Sequence, residues 1–110
     1  ANRQAHIDTT APEIFQQKGY DQTIDFWSLG IIMFEMLLGY PPFFSDDPSE
    51  TYKKIMNWEE FFEIPEDSNL SPEAVDLITK LVCNRKTRLG INGVSEIKAH
   101  PFFIGINWYI

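Results

Sequence analysis

Two carboxylates, Asp25 and Glu35, stand inside the most apolar run of this 110-residue chain, Ile24 to Leu38. An acid among Phe26, Trp27 and a row of Ile, Met and Leu must be supplied with donors or face a cleft. The plainer readings are a helix-start acid favoured by the macrodipole for Asp25 and an exposed, good helix former for Glu35. Far downstream, Arg85-Lys86-Thr87-Arg88 gathers three cations in four residues. Metal chemistry lacks ligands, because His6, His100 and Cys83 are isolated and show no zinc-site spacing. Trp58, Phe61 and Phe62 read as packing residues in preference to a docking patch. Asn69-Leu70-Ser71 fits the glycosylation pattern, which carries weight only in a secreted chain.

The elements that must position these groups are mainly helical. Residues 1–10 are polar and patternless, as in a loop. Pro12 suits the first turn of a short helix running to about Gln17, which Lys18-Gly19 ends. The run Ile24 to Leu38 is apolar on nearly every face, so a helix there must be covered by other elements. Gly39 stops it and Pro41-Pro42 prevent a restart. Asp47, Pro48 and Glu50 open a helix to Asn57 with the form of a capping box. Ile64 to Leu70 is a polar connector. Ser71-Pro72-Glu73 opens another helix, with Ala74, Leu77, Ile78, Leu81 and Val82 as one stripe. Val94 to Ala99 reads as a last short helix, closed by Pro101. No strand pair or hairpin signal appears. Three amphipathic helices cover an all-apolar one only in part, so the pattern fits a piece of a larger domain.

Composition sets outer limits. The apolar content of 44% suffices for one small core, and the net charge of −7 opposes binding to a polyanion such as nucleic acid. It favours cationic partners, including basic peptides. A single cysteine cannot form an internal disulfide, which points to a reducing compartment. Phe26 to Leu38 is too short to span a bilayer, and no signal peptide opens the chain. These features read as soluble and intracellular, cytoplasmic with the nucleus open, with no membrane partner. A start at Ala1 fits a fragment or a processed product.

Four motifs occur in order: Ala11-Pro12-Glu13, Asp25-Phe26-Trp27-Ser28-Leu29-Gly30, Arg88-Leu89-Gly90 and His100-Pro101-Phe102-Phe103. Together they resemble the C-terminal half of a eukaryotic protein kinase domain. Three further stretches are similar to the NDR/LATS branch of the AGC serine/threonine kinases: Gly39-Tyr40-Pro41-Pro42-Phe43, Glu50 to Trp58, and Gly93 to Lys98. Phe102-Phe103 with Ile106-Asn107-Trp108 looks like the point where the AGC C-terminal tail departs. The resemblance divides the chain into a divergent remnant of the activation segment (1–10), a partial kinase domain (11–103) and the start of that tail (104–110). The implied fold is the helical C-lobe from Ala-Pro-Glu onward, without a complete sheet.

The resemblance also implies roles. Ala11, Pro12, Glu13, Asp25, Trp27, Gly30 and Arg88 are its structural motif residues, with Glu13 and Arg88 as a buried ion pair. Asp25 would accept hydrogen bonds from the catalytic loop. Glu35 would bind an Arg upstream of the target Ser or Thr, and Asp8 would add an acidic subsite. Residues 1–10 depart from the family, with His6 and Ile7 where a Thr and a Pro are usual; divergence, a splice junction or a gene-model error would each produce this. The chain contains no G-x-G-x-x-G, no Val-Ala-Ile-Lys strand, no His-Arg-Asp and no Asp-Phe-Gly, since Asp25-Phe26 is followed by Trp27. No catalytic residue or metal ligand is therefore assigned here. ATP and Mg2+ would belong to the intact kinase, and none would be bound by this segment alone. Its partners would be basic protein or peptide substrates, with regulatory proteins of the intact kinase. The rival expectation is a non-catalytic, pseudokinase-like interaction module.

Overall fold

A computed structural model describes residues 9–15 and 21–108. Helix α1 spans Pro12–Phe15, and its expected continuation to Gln17 and stop at Lys18-Gly19 lie outside the described residues. Helix α2, Gln22–Leu38, is the axis of the molecule. It starts two residues before Ile24 because Asp21 caps it, its Oδ1 accepting the Thr23 N–H at 2.9 Å. It ends where Gly39 turns left-handed (φ 87°) and donates its N–H to the Glu35 carbonyl at 2.8 Å.

Helices α3 (Pro48–Met56) and α4 (Trp58–Phe61) follow, then α5 (Pro72–Leu81). A 3-10 turn covers Arg85–Thr87, helix α6 covers Ser95–Lys98, and a second 3-10 turn covers Pro101–Phe103. No strand occurs among the described residues. Asp47 caps α3 by accepting from Ser49 N at 3.0 Å, but the reciprocal half of a capping box is missing. Glu50 instead pairs with Lys53 one turn on, at 3.6 Å, and the Asp47 N–H donates to Ser45 Oγ. Ser71 caps α5 as its sequence predicts, accepting from Ala74 N at 3.1 Å. The short helix α4, too brief to show a period in the sequence, folds Trp58 and Phe62 inward and leaves Phe61 exposed.

Helix α2 divides its apolar surface between two clusters. Ile24, Trp27, Ile31 and Phe34 recur every three or four residues and pack with Phe43, Ile55, Ile78 and Val82. Phe26 and Leu29 lean the other way, onto Leu77, Leu81 and Ile97, while Met33 touches both groups. Full burial of a side chain such as Ile31 or Phe34 stabilises the fold by about 1.5–3 kcal/mol. Gly30 lets α2 and α5 approach closely: a Cβ there would lie 2.8 Å from both Leu81 Cβ and Val82 Cγ2.

The remaining face of α2 is open. Ile32 is 46% exposed and Met36 79% exposed, four residues apart on one side of the helix. Asp25 and Glu35 are exposed at either end of this stripe.

Candidate functional site

The loop after α5 reaches back to α1 and to the start of α2 through two arginines. Arg88 is 1% exposed and Glu13 5%, so both are out of water. Arg88 Nη1 donates to Glu13 Oε2 at 2.5 Å and Nη2 to Oε1 at 3.1 Å, a two-pronged bridge from the loop to α1. Nη1 also donates to the Thr23 carbonyl in the first turn of α2 at 2.9 Å. Nε and Nη2 donate to the Cys83 carbonyl at 3.3 and 2.8 Å. A guanidinium has five N–H groups, and these contacts use every one. Its plane lies 5.1 Å from the Trp27 ring centroid, adding a cation–π contact in a dry setting. Burial of this charge is tolerated only because no donor is left over.

Trp27 completes the block. Its ring stacks on Phe43 (centroids 6.1 Å apart, planes at 8°) and meets Trp58 edge-on at 6.1 Å. Its Nε1 has no hydrogen-bond partner among the described residues.

The second arginine works at the surface. Arg85 Nε donates to Asp21 Oδ2 at 3.1 Å, and its Nη2 contacts the same oxygen. The Arg85 guanidinium, followed by the Thr23 hydroxyl, holds the Asp21 carboxyl down at about 2. The α2 cap is therefore itself anchored to the loop 64 residues later. Beside this pair a cavity of about 310 Å³ is lined by Pro12, Trp58, Cys83, Asn84, Arg85 and Lys86. Burial pushes the Cys83 thiol up, and its Sγ donates to the Lys80 carbonyl at 3.1 Å, which makes it a poor nucleophile.

The sequence-predicted residues thus fall into two groups. Ala11, Pro12, Glu13, Trp27 and Arg88 are buried around the start of α2, and Gly30 is buried midway along it against Leu81 and Val82. Asp25 and Glu35 are exposed, ten residues apart on α2 and so about 15 Å along its axis. Asp8 lies outside the described residues, as do His6 and Ile7. Among the described residues, no group of three or more His, Cys, Asp or Glu is placed to hold a metal ion. No helix among them is long and apolar enough to cross a membrane.

Three polar links escaped the sequence. Asp21 before Gln22-Thr23 is a capping signal in hindsight, but nothing local reveals that Arg85 completes it. His100 was expected only to end a helix, yet its ring bonds Asp76 across the chain at 2.7 Å. Glu96 likewise turns back to accept the Gly90 and Asn92 N–H groups at 2.9 and 3.1 Å. Those amides, Asn92 first, hold the Glu96 carboxyl below its usual range.

Known proteins carry the same arrangement of sequence. The family described as "Protein kinase domain" matches residues 5–103. The serine/threonine-protein kinase CBK1 of Debaryomyces hansenii is 58% identical over 102 residues, covering 92% of this chain and 14% of that protein. The probable serine/threonine-protein kinase ndrB of Dictyostelium discoideum is 52% identical over 106 residues, with 92% and 20% covered. The human serine/threonine-protein kinase LATS2 is 54% identical over 98 residues, with 89% and 9% covered. The chain spans a fifth or less of the length of these curated relatives. With the paired Glu13 and Arg88 around Trp27, and relatives of the NDR/LATS branch, the chain belongs to the protein kinase domain family, as a C-terminal part of that domain.

Proposed function

We propose that this chain forms the pillar and part of the peptide platform of a serine/threonine kinase. In its complete form the kinase would transfer the γ-phosphoryl group of Mg-ATP to Ser or Thr near basic residues. The family generally uses ATP and Mg2+. The residues in hand do not fit either: the phosphate-covering loop, the nucleotide Lys and the metal-binding Asp and Asn have no counterparts in the sequence. No step of the reaction is derived from this chain. What its residues supply is shape and charge.

The observation that carries the reading is Glu35, an exposed carboxylate on the uncovered apolar stripe of α2, beside Met36 and one turn from Ile32. A stripe of this kind is built to be covered, and a carboxylate at its end is suited to hold a guanidinium where the cover stops. The overall charge of −7 adds a general attraction for basic peptides. Asp25, at the other end of the stripe, would tether the backbone of the catalytic loop, and Asp8 would widen the acidic subsite. Residues 104–110 would begin the C-terminal tail, regulatory proteins would act on the whole kinase, and the setting would be the cytoplasm or nucleus.

The test uses the complete kinase that contains these residues. Glu35→Gln is expected to raise KM about tenfold for a peptide with an upstream Arg, the weight of one charge-assisted hydrogen bond, with the KM for ATP unchanged. The same variant should be indifferent to a peptide whose Arg is replaced by Ala. Equal KM for parent and variant on the Arg peptide removes Glu35 from substrate binding. A complete protein that binds such peptides without phosphorylating them establishes the interaction-module reading instead.

A further inference from the structure

His100 is buried, 6% exposed, and both ring nitrogens are engaged by groups of fixed character. Nδ1 lies 3.0 Å from the Phe102 backbone nitrogen, which can only donate, so Nδ1 is an acceptor without a proton. The proton of the neutral ring is therefore on Nε2, directed at Asp76 Oδ2 at 2.7 Å. In this tautomer one imidazole does two jobs. It caps the 3-10 turn Pro101–Phe103 from inside, and it ties that turn to the middle of α5.

We propose that His100 is a proton-operated latch that caps the turn Pro101–Phe103 when neutral and releases that cap, while staying tied to α5, when protonated. A proton arriving at Nδ1 places two N–H groups face to face at hydrogen-bond distance, and the Phe102 amide must then turn away. The Asp76 contact survives, because an imidazolium still donates through Nε2 to a carboxylate. Protonation thus costs the turn without detaching the ring. The segment that feels the change carries its own stack: Phe102 on Phe103 at 5.1 Å, Phe103 on Trp108 at 5.2 Å, and Lys98 above Trp108 at 5.5 Å.

The charged groups on the elements packed around the ring are these. On α5, Asp76 accepts from His100 and also pairs with Lys80 at 3.0 Å, so part of its charge is already answered, while Glu73 is exposed at the first turn. On α6, Glu96 is turned onto the Gly90 and Asn92 amides, and Lys98 sits over Trp108. The sign follows from the tautomer: the cap is present at high pH and is lost as the ring gains its second proton.

The experiment uses the whole 110-residue chain. Histidine C2–H exchange, read by mass spectrometry on the peptide containing His100, gives the titration of that ring between about pH 8 and pH 5. Amide hydrogen exchange of Phe102, Phe103 and Ile104, corrected for intrinsic rates, is followed at the same pH values. Protection there should fall roughly fivefold to tenfold, the weight of one hydrogen bond, with the midpoint of the His100 titration, while α5 keeps its protection. His100→Gln should abolish the pH-dependent step. A ring that titrates with protection unchanged, or that stays neutral to about pH 5, overturns the latch. So does a loss of protection that does not track the ring.

Discussion

At the scale of single residues, the Arg88 bridge sets the clearest expectation. Removing the guanidinium leaves Glu13 buried with its partner gone, which costs far more than the pair itself contributes. Arg88→Ala should destabilise the chain by about 3–5 kcal/mol in urea unfolding, and Arg88→Lys should recover only part of this, since one ammonium cannot serve two carboxylate oxygens and two carbonyls together. A loss below about 1 kcal/mol would mean that water enters the site. Asp21 gives a pH prediction of definite sign. Its folded value of about 2 lies below the ordinary 3.8, so its contribution is present above pH 4 and is lost as pH falls towards 2. Arg85→Met should flatten that part of the acid-unfolding curve followed by circular dichroism. The sequence singled out Glu13 and Arg88 only jointly with the other motifs, because an acid and a base 75 positions apart announce nothing by themselves. Asp21, Asp76 and His100 stayed illegible for the same reason: their partners are chosen by the packing of helices.

At the scale of elements, the local rules are legible wherever one residue type answers one need. Ser71-Pro72 opened α5 and Gly39 closed α2, because a hydroxyl acceptor and a left-handed turn are local requirements. The capping box at Asp47 failed because Glu50 had a competing partner in Lys53 a turn away. Helix α4 was missed because four residues are too few to show a period, and Trp58 is held by its contact with Trp27. The crossing of α2 and α5 depends on Gly30. Gly30→Ala should cost about 1–3 kcal/mol by overpacking against Leu81 and Val82, read as a lowered urea midpoint with the slope unchanged. Ser71→Ala should cost about 1 kcal/mol through the lost cap. A Gly30→Ala chain as stable as the parent would show that α5 slides freely on α2.

For the whole molecule, the open stripe of α2 decides solution behaviour. The expectation that neighbours cover so apolar a helix only partly holds: two clusters take its flanks, and Ile32, Met36 and Leu37 remain in solvent. Such a patch favours contact between copies. Ile32→Lys with Met36→Lys should reduce self-association in sedimentation while leaving helix content unchanged, because neither side chain is needed by the core. Persistent association would move the sticky surface to the Ile104–Trp108 end, where Ile104 is 83% exposed. Met33 leads to a last consequence. It is half-buried where α2 separates the two clusters, so the helix itself is the wall they share. Heat or denaturant should meet one cooperative unit, and an insertion anywhere along that wall would turn its far half by about 100° and evict tenants on both sides together.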